Sequence, residues 1–140
     1  MKLEERKGNL FEVGEKYHLA HCVSSDVEMG QGIAVDFQKN FNLRKKLLNF
    51  NEFERKYPIC IQIGKVFNLI TKNKYWDNPS YQSFRDSLEI AKKLIIENNV
   101  RHLAMPKMGC GLDRLEWVLV REIIKDVFKD VEIEILVMYL

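Results

Sequence analysis

Between Met105 and Trp117 the chain leaves an apolar strand, turns through Gly109 and Gly111 around Cys110, and enters a helix just past Asp113. A strand–glycine–helix junction of this kind turns backbone N–H groups toward one point and suits an anion. A second junction with the same context lies at Met29-Gly30-Gln31-Gly32. Either loop alone can be no more than a tight turn. Together, in one small domain, they point to a diphosphate held from both sides. Neither is followed by the lysine–serine or lysine–threonine pair of a P-loop, which argues against ATP hydrolysis.

The rest of the chain reads as alternating strands and helices. Lys2 to Lys7 forms a polar edge strand, and Tyr17 to Ser24 a buried strand that runs into the first glycine loop. Ile33, Phe37 and Phe41 recur at helical spacing, and a basic-faced helix follows over Leu43 to Phe50. Ile59 to Ile63 and Lys65 to Lys72 read as a hairpin turning at Gly64. Asn78-Pro79 has the pattern of a helix start, with Tyr81, Phe84, Leu88, Ala91 and Ile95 as its apolar stripe. Arg101 to Met105 is a strand, and Leu115 to Phe128 a helix with Trp117, Val120, Ile124 and Val127 turned inward. Val131 to Tyr139 closes the chain as a dense apolar strand with a central place in the sheet. The order β-β-α-α-β-β-α-β-α-β predicts an α/β fold, a mixed sheet covered by helices on both faces. Both glycine loops then fall at the carboxyl ends of strands, where such sheets bind ligands.

A chain of 140 residues holds one domain with one substantial core, and nothing in it marks a linker or a repeat. The net charge of +2 is too small for a dedicated nucleic-acid binder. The three cysteines, Cys22, Cys60 and Cys110, are odd in number and lack metal-ligand spacing, which fits a reduced cytoplasmic protein. Glu4, Glu5 and Arg6 stand where a signal peptide needs an apolar run, and no stretch is long and apolar enough to span a membrane. Without a clustered set of His, Cys or carboxylates, neither a metal nor a cofactor is expected. A monomer is the default for a domain of this size.

Taken singly, the polar residues of these loops have ordinary explanations. Asp113, with Glu116 three positions on, fits a capping box at the start of the last helix, although a cap residue can also face a ligand. Lys72, ending Leu69-Ile70-Thr71-Lys72, reads as a solvated surface lysine. Cys110 reads as a small loop residue, since neither His21 nor His102 can be placed beside it as a partner. His21 and Cys22 are adjacent on a strand and point to opposite faces.

As a set, however, Gly8-Asn9-Leu10-Phe11, Leu19 to Ser24, Met29 to Ala34, Leu69 to Lys72 and Met105 to Trp117 resemble the macrodomain superfamily. They are most similar to its terminal ADP-ribose protein glycohydrolase branch. The match runs in register from Gly8 to Leu140, so residues 1–140 are read as a single macrodomain. The resemblance implies a three-layer α/β/α fold with a mixed, mostly parallel sheet that binds ADP-ribose. It implies an ADP-ribosyl hydrolase that releases ADP-ribose from modified Glu and Asp side chains of proteins and also deacylates O-acyl-ADP-ribose.

By the same resemblance Lys72 would attack the anomeric carbon of the distal ribose, and Asp113 would handle the protons and resolve the adduct. The ADP-ribose contacts would come from Asn9, Leu10, His21, Ser24, Gly30, Gly32, Ile33 and Thr71. Lys107, Met108, Gly109, Cys110, Gly111, Leu112 and Leu140 would complete them. An ordinary lysine is protonated at neutral pH and cannot attack, so such a role demands desolvation or a cationic neighbour. Where the family commonly uses an aspartate to accept a hydrogen bond from the adenine amino group, this chain has Asn9, whose amide accepts without charge assistance. Where the branch often sets an aromatic against adenine, this chain has Met138, with Tyr139 on the opposite face. Two competing readings keep the fold: hydrolysis of ADP-ribosylated DNA, for which Arg44-Lys45-Lys46 could form a local phosphate patch, and a non-catalytic ADP-ribose reader. The presence of both Lys72 and Asp113 speaks against the reader.

Overall fold

The computed structural model describes residues 1–109, 111 and 113–140. Six strands, β1 (Lys2–Lys7), β2 (His18–Ser24), β3 (Ile59–Ile63), β4 (Val66–Lys72), β5 (His102–Met105) and β6 (Glu134–Tyr139), form one sheet in the order β1-β6-β5-β2-β4-β3. Four helices accompany them: α1 (Ile33–Phe41), α2 (Leu43–Leu47), α3 (Tyr81–Glu97) and α4 (Trp117–Phe128). Every strand pair is parallel except β3–β4, the hairpin through Gly64. The sheet is therefore mixed and mostly parallel, as expected. The polar strand β1 lies at one edge, and β6 is interior with partners on both sides.

Because side chains alternate across a strand, the inner strands serve two cores at once. On β4, Phe67 and Leu69 join Phe84, Leu88, Val120 and Ile124 of α3 and α4 on one face. Val66 and Ile70 of the same strand join Phe37, Leu43 and Leu47 of α1 and α2 on the other. This is why β4 is apolar almost throughout, as buried parallel strands are. Each fully buried leucine or phenylalanine contributes roughly 1.5–3 kcal/mol of transfer free energy. The result is the three-layer α/β/α arrangement.

Several local expectations are corrected. Helix α3 is capped not by Asn78 but by Ser80. Ser80 Oγ accepts from the Ser83 N–H, and Ser83 Oγ accepts from the Ser80 N–H, a reciprocal box that outcompetes the Asn-Pro start. Helix α4 begins at Trp117 with Glu116 as its N-cap residue, so Asp113 is not its cap. Arg114 adopts φ 62° and the Leu115 N–H returns to the Gly109 carbonyl at 2.7 Å, which separates Asp113 from the helix by a closed turn. Trp117 is only half-buried, and its indole N–H reaches across to Glu5 Oε1 on β1 at 2.8 Å. Helix α2 and strand β6 are shorter than expected: Leu48 and Asn49 form a turn after α2, and Val131 to Ile133 pass through a bend before β6.

Candidate active site

Parallel strands end on the same side of a sheet, so Ser24, Lys72, Met105 and Tyr139 close β2, β4, β5 and β6 along one edge. Above that edge the two glycine loops enclose a cleft of about 500 Å³. Ser24, Gly30, Gly32, Ile33, Lys107, Met108, Gly109 and Gly111 line it, together with Lys72 and Asp113. Gly32 is the N-cap residue of α1 and offers no side-chain cap; Val35 N–H donates to the Gly32 carbonyl at 3.2 Å, which leaves the N–H groups of Ile33 and Ala34 to face a ligand. A second cavity of about 800 Å³ adjoins the first, and both are lined by Gly32, Ile33, Pro106 and Lys107. Asn9, Leu10, Met138, Tyr139 and Leu140 line this second space.

The pair that sequence alone dismissed meets in the cleft. Lys72 Nζ lies 2.5 Å from Asp113 Oδ1, with the two side chains only 12% and 15% exposed. Nζ also donates to the Tyr75 carbonyl at 2.9 Å. An ammonium has three donors, and these two bonds fix its direction within the cleft. The site thus sets a largely buried amine against a carboxylate, beside the start of α1. Lys107 rests over the rings of Tyr139 (4.7 Å) and Trp117 (6.0 Å), a cation–π arrangement that holds the second loop to β6 and α4.

Other expected residues lie elsewhere. His21 is wholly buried, stacked on Phe37 at 3.8 Å, and Thr71 is 1% exposed; neither lines either cavity. Asn9 uses its side-chain oxygen to accept from the Phe11 N–H at 2.9 Å, capping the short 3-10 helix at Leu10–Glu12. Met138 is buried and Tyr139 exposed, yet both border the second cavity. Cys110 and Leu112 lie outside the described residues. Among the described residues no group of three His, Cys, Asp or Glu could hold a metal. Sequence reasoning missed Tyr75 and Asp26. The first stands in an aromatic pair within a polar loop. The second closes Ser24-Ser25-Asp26, an Asx-turn signature at a strand end.

Fold and cleft together define an α/β domain with a two-part cleft at the carboxyl ends of its parallel strands and a lysine–carboxylate pair in it. No protein-family model matches the chain. Over 132 residues it is 41% identical to the ADP-ribose glycohydrolase OARD1 of Bos taurus, covering 94% of this chain and 87% of that protein. It is 26% identical over 145 residues to the DNA ADP-ribosyl glycohydrolase of Thermus aquaticus, covering 90% of this chain and 38% of that protein. Among solved structures, the macrodomain of Thermus aquaticus DarG superposes with a TM-score of 0.83 at 23% identity, covering 99% of this chain and 98% of that one. Thermosipho africanus DarTG in complex with ADP-ribose superposes at 0.81 and 17% identity, covering 98% of this chain and 41% of that one. The chain belongs to the macrodomain superfamily, in the ADP-ribose glycohydrolase branch to which OARD1 belongs. It is a hydrolase.

Proposed function

We propose that this hydrolase removes ADP-ribose from ADP-ribosylated Glu and Asp side chains of proteins, with Lys72 as nucleophile and Asp113 as acid and base. The observation that carries the reading is the Lys72–Asp113 pair, held at 2.5 Å in the cleft where the two glycine loops meet. In this reading the adenosine occupies the cavity lined by Asn9, Met138 and Tyr139. The diphosphate lies over Gly32, Ile33 and Lys107, and the distal ribose lies at Lys72.

The Lys72 ammonium gives up a proton to solvent as the bound substrate displaces it from Asp113, which stays a carboxylate. The freed amine forms a bond to the anomeric carbon as the bond from that carbon to the ester oxygen breaks. The carboxylate of the target leaves with the electron pair, which makes acidic side chains better substrates than serine, whose alkoxide is a far poorer leaving group. Water, activated at Asp113, then displaces the lysine, releases ADP-ribose and restores the amine. The same nucleotide grip would admit O-acyl-ADP-ribose. The partners in this reading are ADP-ribosylated proteins in the cytoplasm, and the working unit is a monomer.

ADP-ribosylated DNA is the second reading, supported by the similarity to the Thermus aquaticus enzyme. Arg44, Lys45 and Lys46 are exposed on α2, and Arg44 is 3.7 Å from Glu28, which lines the cleft. One assay tests both. The protein is incubated with substrates ADP-ribosylated on glutamate, on serine and on DNA bases. Release from the glutamate-linked protein alone is the expected result. Release from DNA alone supports the second reading, and tight ADP-ribose binding with no release would refute both.

A further inference from the structure

Asp26 sits where β2 gives way to the first glycine loop, and its carboxylate joins two segments of chain. Oδ1 accepts from the Ser24 hydroxyl and, at 3.4 Å, from the Glu28 N–H. Oδ2 accepts from the Tyr75 N–H at 3.1 Å. Backbone bonds from Ser25 N–H to the Lys72 carbonyl (2.9 Å) and from Asp26 N–H to the Asn73 carbonyl (3.2 Å) run alongside. The turn is closed by Val27, whose N–H donates to the Ser24 carbonyl at 3.0 Å while its backbone holds φ 56°. A β-branched residue at that φ is strained, and strain of this kind persists only where surrounding contacts over-determine it.

The segment held by Asp26 is the one that directs the lysine. The Tyr75 carbonyl accepts from Lys72 Nζ at 2.9 Å, while the Tyr75 side chain is half exposed. Lysine carries its charge on a flexible four-carbon stem, so the direction of Nζ depends on what receives its hydrogen bonds. We infer that Asp26 is a positioning residue for the Lys72 nucleophile, acting through the Tyr75 backbone. A displacement of about 1 Å at a reacting atom can cost roughly 10²-fold in rate.

The inference rests on Lys72 being the nucleophile. Single-turnover release from a glutamate-linked ADP-ribosylated protein is measured for the wild type, Asp26→Asn and Asp26→Glu, with ADP-ribose affinity measured separately by calorimetry. An amide cannot accept from both the Ser24 hydroxyl and the Tyr75 N–H, so Asp26→Asn is expected to react at least about tenfold more slowly. Its ADP-ribose dissociation constant should stay within about threefold of the wild type, and Asp26→Glu should be faster than Asp26→Asn. In an Asp113→Ala background, adding Asp26→Asn should slow the build-up of the ADP-ribose adduct on Lys72 by a similar factor.

An unchanged rate, or a loss that follows weaker ADP-ribose binding alone, overturns the positioning role. If Asp26→Asn does not fold, Asp26→Ser is measured against the same two thresholds. Full activity in Lys72→Ala refutes the lysine mechanism and the positioning role together. Loss in Lys72→Ala without loss in Asp26→Asn overturns the positioning role alone.

Discussion

His21 Nε2 and Asn68 Oδ1 face each other at 2.6 Å from directly paired positions on β2 and β4, in the sheet below the cleft. Asn68 Nδ2 donates onward to the Ile61 carbonyl on β3 at 3.1 Å, which turns its oxygen toward the histidine. Nε2 therefore carries the hydrogen, and Nδ1 is left buried without a partner among the described residues. Burial pushes the His21 imidazole down to about 4, only partly opposed by the Asn68 bond.

A pH dependence of stability follows. The unfolded chain binds a proton at His21 near 6.5, whereas the folded chain does not until about 4. The contribution is thus fully present above pH 6.5 and is lost as pH falls toward 4. Urea unfolding at pH 7 and pH 4.5 should show a loss of about 2–3 kcal/mol attributable to this group. His21→Phe, which keeps the stack on Phe37, should lose correspondingly less over the same interval.

Replacing Lys72 by arginine preserves the charge opposite Asp113 but removes the proposed nucleophile. Release from a glutamate-linked substrate should fall by roughly 10²-fold or more, with ADP-ribose affinity changed by only a few-fold. Asp113→Asn keeps the shape of the carboxylate but cannot take a proton. Intact-mass analysis of that variant after substrate exposure should detect ADP-ribose retained on Lys72. A Lys72→Arg variant as active as the wild type would rule out the covalent route.

Gly32 occupies φ 62°, ψ −151°, a region that residues with a Cβ essentially do not enter. Gly32→Ala should cost about 1–3 kcal/mol in thermal or urea unfolding. It should also weaken ADP-ribose binding at least tenfold, since the start of α1 must move. At Gly30 an added Cβ meets nothing within 4 Å among the described residues, so Gly30→Ala should change stability by no more than about 0.5 kcal/mol.

Burial pushes the Cys60 thiol up to about 12, and the residue is 5% exposed on β3. Alkylation with iodoacetamide at pH 8 should leave Cys60 unmodified in the native protein and label it fully in urea. Peptide mapping distinguishes it from the other cysteines. Rapid labelling in the native state would show that β3 opens locally.

The strands, the helices and their order were legible because each depends on neighbours a few residues away. A short, mostly apolar run marks β2 as a buried strand, the 3.6-residue stripe marks α3, and Gly64 marks the hairpin. The covering of both sheet faces follows from apolar runs such as that of β4, which only a doubly covered strand can carry. Helix starts were less legible, because a cap is a competition between nearby donors and acceptors. At α3 the Ser80–Ser83 pair prevailed over Asn78, and at α4 the turn through Arg114 removed Asp113 from contention.

By its residue pattern alone the chain determined an α/β domain with two glycine loops at strand ends, which is a statement about backbone and holds at short range. That pattern left Lys72 as a surface lysine and Asp113 as a helix cap. Only the tertiary structure, by running β4 parallel to β2 and β5, brings the end of β4 beneath the second glycine loop and joins residues 41 positions apart. The resemblance to a family had named that pair as catalytic. What the fold added is their juxtaposition: a carbonyl, a carboxylate and low exposure set around one amine.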